Sequence, residues 1–352
     1  MKANIPKGGS GILSSLAESA FAAGVGFLAS GILLAALGKD PIKAFYYLFE
    51  GSFGSTVNFT ITLAYAAPLI LTALTFAVGV RAGLFNIGAE GTLYVGAAAA
   101  VAASLVHLPY GLGLLFILLA AALAGAAWAI PPFLLKSYRG VNEVITTIMM
   151  NNIALFFIQF VVLNYLLDSL HGGIRSDRTA SIPIDARFPV LVNPYLTGAI
   201  IFAALVCFAV YYYLWQTPSG YELRAVGLNP DASRFSGINP KRPMMYAFVL
   251  GGVTAGLAGA VEVAGSFTPF AIYTGLSNLV NFGFNGLSVA LIGRNHPLAI
   301  VLAGVFFGAL QAGASSVQTL GLSFEIVEVV EGMIVFAVAA PQLYRMVRKR
   351  IK

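Results

Sequence analysis

Arg81-Ala-Gly-Leu-Phe-Asn-Ile-Gly-Ala-Glu-Gly-Thr-Leu-Tyr-Val-Gly-Ala97 is the stretch on which the reading of this chain turns. It sets an amide, Asn86, and a carboxyl, Glu90, among glycines in a segment otherwise apolar enough to enter a bilayer. An ionisable side chain at membrane depth costs roughly 2.5–3.5 kcal/mol on insertion scales. Glycine lets the backbone leave helical geometry or lets a second helix approach closely. The combination predicts a broken helix beside a polar cavity, the device with which membrane proteins build paths for polar solutes.

The rest of the chain agrees with a membrane setting. Of its 352 residues 59% are hydrophobic and only 10% charged, with a mean hydropathy of +0.86. Soluble domains carry about 25% charged residues. Apolar runs of spanning length fall at 19–38, 57–79, 91–106, 111–135, 144–167, 195–216, 244–266, 278–293, 297–320 and 326–343. The third and eighth are short and Gly-rich, and Pro131-Pro132 should kink or stop the fourth. The expected fold is all-α and polytopic, one transmembrane domain over 1–352 with about ten helices.

With both termini in the cytoplasm, fifteen of the 20 Lys and Arg residues fall on the inner side, among them Lys2, Lys7, Arg81, Arg224, Arg294 and the 345–352 cluster. Five fall outside: Lys39, Lys43, Arg175, Arg178 and Arg187. The bias follows the positive-inside rule. It also explains the net charge of +6 without invoking nucleic acid. The N-terminal run has no clear small-x-small cleavage site and reads as an uncleaved first span.

Asn86-x-Gly-x-Glu90-Gly91 has an echo in Asn281-x-Gly-x-Asn285-Gly286, five spans later. An odd offset reverses membrane orientation, which suggests inverted repeats over 1–167 and 195–343. Such short identities also arise by chance in Gly-rich sequence; the equal span offset is what favours the repeat. A weaker echo links Asn142-Glu143 with Phe324-Glu325.

Each polar constellation has two readings. Asn86, Glu90, Asn281 and Asn285 can line a substrate path or form a buried structural network. On span five, Thr147 and Asn151 form one polar stripe, Asn152 and Gln159 a second. Interhelical bonding and substrate contact are both open for them. Glu325, Glu328 and Glu331 share one side of span ten, as a network near a helix end or as a proton relay. Glu262 lies among Gly252, Gly256 and Gly259, a small-residue packing face. The inward loop 217–243 should hold a short helix over 222–226, stopped by Gly227, with a second turn begun by Asn229-Pro230. Its mixed charge and apolar content suit docking of another protein. One cysteine, three distant histidines and the absence of a P-loop leave no metal or nucleotide site to read in the sequence, and no cofactor is expected on this chain.

Several blocks together resemble a known family. They are Lys39–Ser55, Arg81–Ala97, Gly140-Val-Asn-Glu-Val-Ile-Thr-Thr-Ile-Met-Met-Asn-Asn152, Gly220-Tyr-Glu-Leu-Arg-Ala-Val-Gly-Leu-Asn-Pro230 and Gly283-Phe-Asn-Gly-Leu-Ser-Val-Ala-Leu-Ile-Gly-Arg-Asn-His-Pro297. The chain is similar to the permease subunits of nucleoside-type, or simple-sugar, ABC importers. These belong with the ribose and branched-chain amino acid permeases. Asn86-Ile-Gly-Ala-Glu90 differs from the strings expected of ribose and branched-chain amino acid types. Asn285 departs from the family, many of whose members are expected to carry Asp there.

The resemblance implies a non-enzymatic transport subunit in a bacterial cytoplasmic membrane. Its implied partners are a second permease subunit, an extracytoplasmic binding protein or lipoprotein, and a cytoplasmic ATPase that holds ATP-Mg. That ATPase would dock through Glu222, Leu223, Arg224, Ala225, Val226, Gly227, Asn229 and Pro230. The implied cargo is a nucleoside, with a simple sugar such as ribose as the alternative. An ion-coupled secondary transporter using Glu90, Glu262 or Glu331 is the competing class.

Overall fold

The computed structural model describes residues 9–36, 38–106, 108–109, 111–168, 176–265, 270–318 and 327–337. Lys2, Lys7, His107, His171, Arg175, Glu325 and the basic cluster from Arg345 lie outside them. The described residues are helical, joined by loops with three isolated bridges and no strand. Among the described residues, six helices are long and apolar enough to cross a membrane, Thr56–Arg81, Leu112–Arg139, Glu143–Leu166, Ala199–Gln216, Lys241–Gly265 and Pro297–Gln318.

In chain order the helices are α1 (Gly9–Ala36), α2 (Pro41–Phe53), α3 (Thr56–Arg81), α4 (Ala89–Ser104), α5 (Leu112–Trp128), α6 (Ile130–Arg139) and α7 (Glu143–Val161). Then come α8 (Ala199–Gln216), α9 (Pro218–Leu228), α10 (Pro230–Phe235), α11 (Lys241–Gly265), α12 (Phe282–Ile292) and α13 (Pro297–Gln318). A further helical stretch occupies 327–337. Every expected apolar run holds a helix, and the short third and eighth runs are α4 and α12, of 16 and 11 residues.

Two features differ from the hydropathy reading. α2 is an extra, amphipathic helix. Pro41 supplies its first turn, and Asp40 Oδ1 accepts from the Ile42 and Lys43 amides at 3.0 and 3.2 Å. It lies along α13, where Ser52 Oγ donates to the Ala309 carbonyl. The fourth run breaks into α5 and α6 at Ala129, two residues before Pro131. Gly140, at φ +66°, ends α6, with its amide on Lys136 O and that of Val141 on Leu135 O.

The interior is built on α3 and α11. α3 is buried over most of its length. α11 presents Gly252, Gly256 and Gly259 to α5 and α4, and a methyl group at any of them would meet backbone of Gly125, Ala121 or Leu93. Lipid tails offer helices little hydrophobic reason to associate, so such close backbone contact supplies the attraction. The small-residue faces read on span seven are therefore packing faces.

Candidate functional site

The Arg81–Ala97 stretch is broken as expected. α3 ends at Arg81, the chain turns through Gly83 at φ +74°, and α4 begins at Ala89. Asn86, buried, folds its Oδ1 back onto the Gly88 amide at 2.9 Å, an Asx turn that leads the chain into the helix.

α7 holds this turn from the side. Asn151 donates through Nδ2 to Ile87 O and accepts through Oδ1 from the Gly91 amide, both at 2.9 Å. One turn earlier, Thr147 Oγ1 accepts from the Ile87 amide at 3.3 Å and donates to Glu143 O at 2.7 Å. The i,i+4 stripe of Thr147 and Asn151 thus points at the broken segment. The second stripe does not: Asn152 is exposed and donates to its own helix at Ile148 O, 3.0 Å away. Glu143 closes the lower edge, with Lys136 Nζ at 2.7 Å and the Phe85 amide at 3.3 Å.

Glu90 reaches the other way, to the start of α12. It is 3% exposed. Its Oε1 accepts from Tyr94 Oη and from the Asn281 amide, both at 2.6 Å. Its Oε2 accepts from the Gly283 amide at 2.6 Å and the Phe284 amide at 3.3 Å. Four donors converge on one carboxyl, the set that an acceptor-only carboxylate satisfies. Three of them are amides at the N-terminus of α12, where the helix dipole favours an anion. Asn281 itself stands at φ +73° and gives α12 no side-chain cap. Gly283 permits the contact, because a Cβ there would overlap the Glu90 backbone.

Asn281 sends its Nδ2 to Glu328 Oε1 at 3.1 Å on the 327–337 helix. Glu331, buried on the same helix, accepts from Gln311 Nε2 at 3.0 Å. Asn285 lies one turn beyond Asn281, half-buried. Five of the expected residues, Asn86, Glu90, Thr147, Asn151 and Asn281, are brought together around the two helix starts; Asn152 and Asn285 stand apart. Tyr94, four residues after Glu90, was readable as its helix neighbour but not as its donor. The amides of Gly283 and Phe284 had no sequence signal.

A small cavity with room for about one water molecule opens beside Asn86, between Thr75, Thr92, Trp128, Thr147 and Phe248. Trp128 Nε1 is buried without a hydrogen-bond partner. Among the described residues no cluster of His, Cys, Asp and Glu could hold a metal.

The loop between α8 and α11 folds as two capped helices. Thr217 Oγ1 caps α9 at the Gly220 amide, and Asn229 Oδ1 caps α10 at the Asp231 and Ala232 amides, each 3.0 Å away. The second turn starts at Asn229-Pro230 as read. Gly227 does not stop the first, which runs on to Leu228. Instead it lets α9 touch backbone of Arg81 and Ala82, with Gly83 next to it in the same contact. Leu223 and Val226 are buried against the bundle, Glu222, Arg224 and Ala225 are half-buried, and Asn229 and Pro230 are exposed. Tyr221, Leu228 and Phe235, exposed by 62%, 67% and 95%, form the outer face and were not singled out in the sequence.

A bundle of helices of spanning length, with two short ones meeting at a shared carboxylate, is the arrangement of a multi-pass membrane protein. Residues 58–339 match the family described as the permease component of branched-chain amino acid transport systems. The chain belongs to that family of transport subunits. It is 36% identical to the nucleoside ABC transporter permease NupB of Lactococcus lactis, over 89% of this chain and 88% of that one. It is 34% identical to the guanosine ABC transporter permease NupP of Bacillus subtilis, over 97% of each. With the glucose ABC transporter permease TsgB13 of Haloferax volcanii it shares 32% identity, over 90% and 85%. No solved structure matches the chain.

Proposed function

We propose that the chain is the membrane-spanning permease subunit of an ATP-driven importer that carries nucleosides, purine nucleosides in particular, into the cytoplasm. The observation that carries this reading is the end-to-end similarity to a guanosine permease and a nucleoside permease. A polar route without basic side chains at its centre suits a neutral, hydrogen-bonding cargo.

In this reading α4 and α12 are the matching broken helices of two inverted repeats, 1–167 and 195–343. Support comes from their N-termini, which meet through Glu90. Asn281 lines the path with Glu328, Asn285 follows one turn along α12, and Asn152, on the exposed stripe, stands apart from it. Asn86, Glu90, Thr147 and Asn151 make the wall that shapes it. The membrane is the bacterial inner membrane with both termini inside, supported by the distribution of Lys and Arg.

The proposed partners are a second permease subunit, an extracytoplasmic binding protein or lipoprotein, and a cytoplasmic ATPase that holds ATP-Mg. The ATPase docks on α9 and α10, whose exposed Tyr221, Leu228 and Phe235 offer an apolar surface. The Gly227–Arg81 contact carries its movement to the turn before Asn86. ATP then shifts the balance between inward-open and outward-open states through its differential affinity for them.

The test is uptake by proteoliposomes holding this chain, its companion permease, the ATPase and the binding protein. ATP-dependent guanosine uptake is expected. It should fall at least tenfold when Tyr221 and Phe235 become serine, or when Glu222 and Arg224 become alanine. Uptake by this chain alone that collapses with a protonophore and ignores ATP would replace the reading with an ion-coupled carrier. The similarity to a glucose permease favours one second cargo; uptake of a simple sugar with guanosine inert would select it.

A further inference from the structure

Arg81 at the end of α3, Trp215 near the end of α8, Arg224 on α9 and the Asn295-His296 turn before α13 come together on one side of the bundle. The Arg81 and Arg224 guanidinium carbons lie over the same Trp215 ring, 5.2 and 5.6 Å from its centroid. The His296 ring lies 5.0 Å from Trp215 and 5.6 Å from Tyr211. Arg81 Nε donates to Asn295 O at 3.0 Å, which fixes that guanidinium toward the turn.

Two half-buried cations share this pocket, and among the described residues neither has a carboxylate within ion-pair distance. Arg224 Nε is itself buried without a partner, and so are two neighbouring polar atoms, Asn295 Oδ1 and His296 Nδ1. Partly buried charge left uncompensated is costly. The oxygen and nitrogen of an Asn amide exchange by a flip, so Asn295 can present a donor. Burial and the Arg81 charge hold His296 below its ordinary pKa, so at neutral pH its ring is neutral and can place its one N–H on Nδ1. The pocket then offers two guanidiniums, an amide and an imidazole N–H, all donors, around an indole face.

We propose that this pocket binds a phosphate group, clamped between Arg81 and Arg224 with His296 and Asn295 as further donors. Guanidinium forks match phosphate oxygens in pairs, which a single chloride or a water cannot do. The phosphate comes from an anionic lipid headgroup at the membrane surface or from a soluble nucleotide or inorganic phosphate. The site is distinct from the Glu90 cap and from the outer face of α9. Its occupant would tie the turn before Asn86 to α9 and to the start of α13. The inference stands on the pocket itself and holds for a nucleoside or a sugar cargo alike.

The chain has two tryptophans, so Trp128→Phe leaves Trp215 as the sole emitter. The full chain in this background is placed in phosphatidylcholine nanodiscs and titrated with guanosine monophosphate and with inorganic phosphate, each against chloride at equal ionic strength. A parallel sample uses phosphatidylglycerol nanodiscs. A saturable change in Trp215 emission is expected in at least one arm: a response to the soluble anions names them as the source, one confined to phosphatidylglycerol names the lipid. Arg81→Gln with Arg224→Gln should weaken the response at least tenfold, the loss expected for charge-assisted bonds. If that double variant does not elute as folded protein, Arg224→Lys alone should weaken it severalfold. Emission that tracks chloride equally, or that ignores these substitutions, overturns the proposal. A change seen only on adding the ATPase also overturns it, in favour of a carboxylate from that partner.

Discussion

The two copies of the Asn-x-Gly-x-(Glu/Asn)-Gly string look alike and do different work. In the first, Asn86 turns its side chain back onto Gly88, and α7 clamps the turn through Thr147 and Asn151. In the second, Asn281 sits in the left-handed region and spends its side chain on Glu328. The second helix start has no cap of its own and borrows Glu90 from the first copy. Asn285, in the register position of Glu90, lies half-buried one turn into α12, its amide on Asn281 O. The shared string therefore marks where two short helices begin, while one carboxyl decides how the two starts are joined.

The comparison can be broken most severely at Gly283. Leucine there overlaps the Glu90 backbone, a misfit worse than ordinary overpacking at about 1–3 kcal/mol. Gly283→Leu should remove most folded protein, read as monodisperse yield. Normal yield would show that the two helix starts do not touch.

Next in size is the contrast between the two fifth positions. Glu90→Ala strands three amides and a phenol at about 1–3 kcal/mol for a buried unsatisfied group, and should lower the melting temperature clearly. Asn285→Ala should shift stability by no more than about 0.5 kcal/mol. Equal melting temperatures for the pair would end the asymmetry. Glu90→Gln, with uptake measured beside folded yield, then separates a cap from a substrate contact: a pure cap loses both together.

Asn151→Ala removes both clamp bonds and should cost about 1–3 kcal/mol in thermal unfolding. Asn152→Ala, on the exposed stripe, should leave stability within about 0.5 kcal/mol. A reversed order would place the wrong stripe against Ile87. A single bond is tested by Tyr94→Phe, which removes one of four bonds to Glu90, worth about 1.5 kcal/mol. Combined with Glu90→Ala it should add little, because the two residues share that bond.

Much of the architecture was legible because it depends on local features. Apolar runs place the helices, Pro131-Pro132 marks the α5–α6 break to within a residue or two, and Asn229-Pro230 marks the start of α10. α2 escaped because a short amphipathic helix that lies along another carries too little apolar length to register as a span. Gly227 was misread as a helix stop because a glycine needed for close approach leaves the same letter as one needed for a cap. Of the element proposed for docking, the buried Leu223 and Val226 were singled out with the half-buried residues, since a lone helix does not say which of its faces meets the bundle.

The sequence by itself determined that this is a multi-pass membrane chain with two Gly-rich interruptions, each holding polar groups too costly to leave facing lipid. Those properties follow from composition and from spacings of a few residues. Only the tertiary structure decided what satisfies them. The amide that Glu90 caps at Asn281 lies 191 residues away in sequence, and no local pattern distinguishes a carboxyl that will meet a helix end from one that will meet a solute. That choice belongs to the packing of α4 against α12, in a medium that offers buried polar groups no other partner.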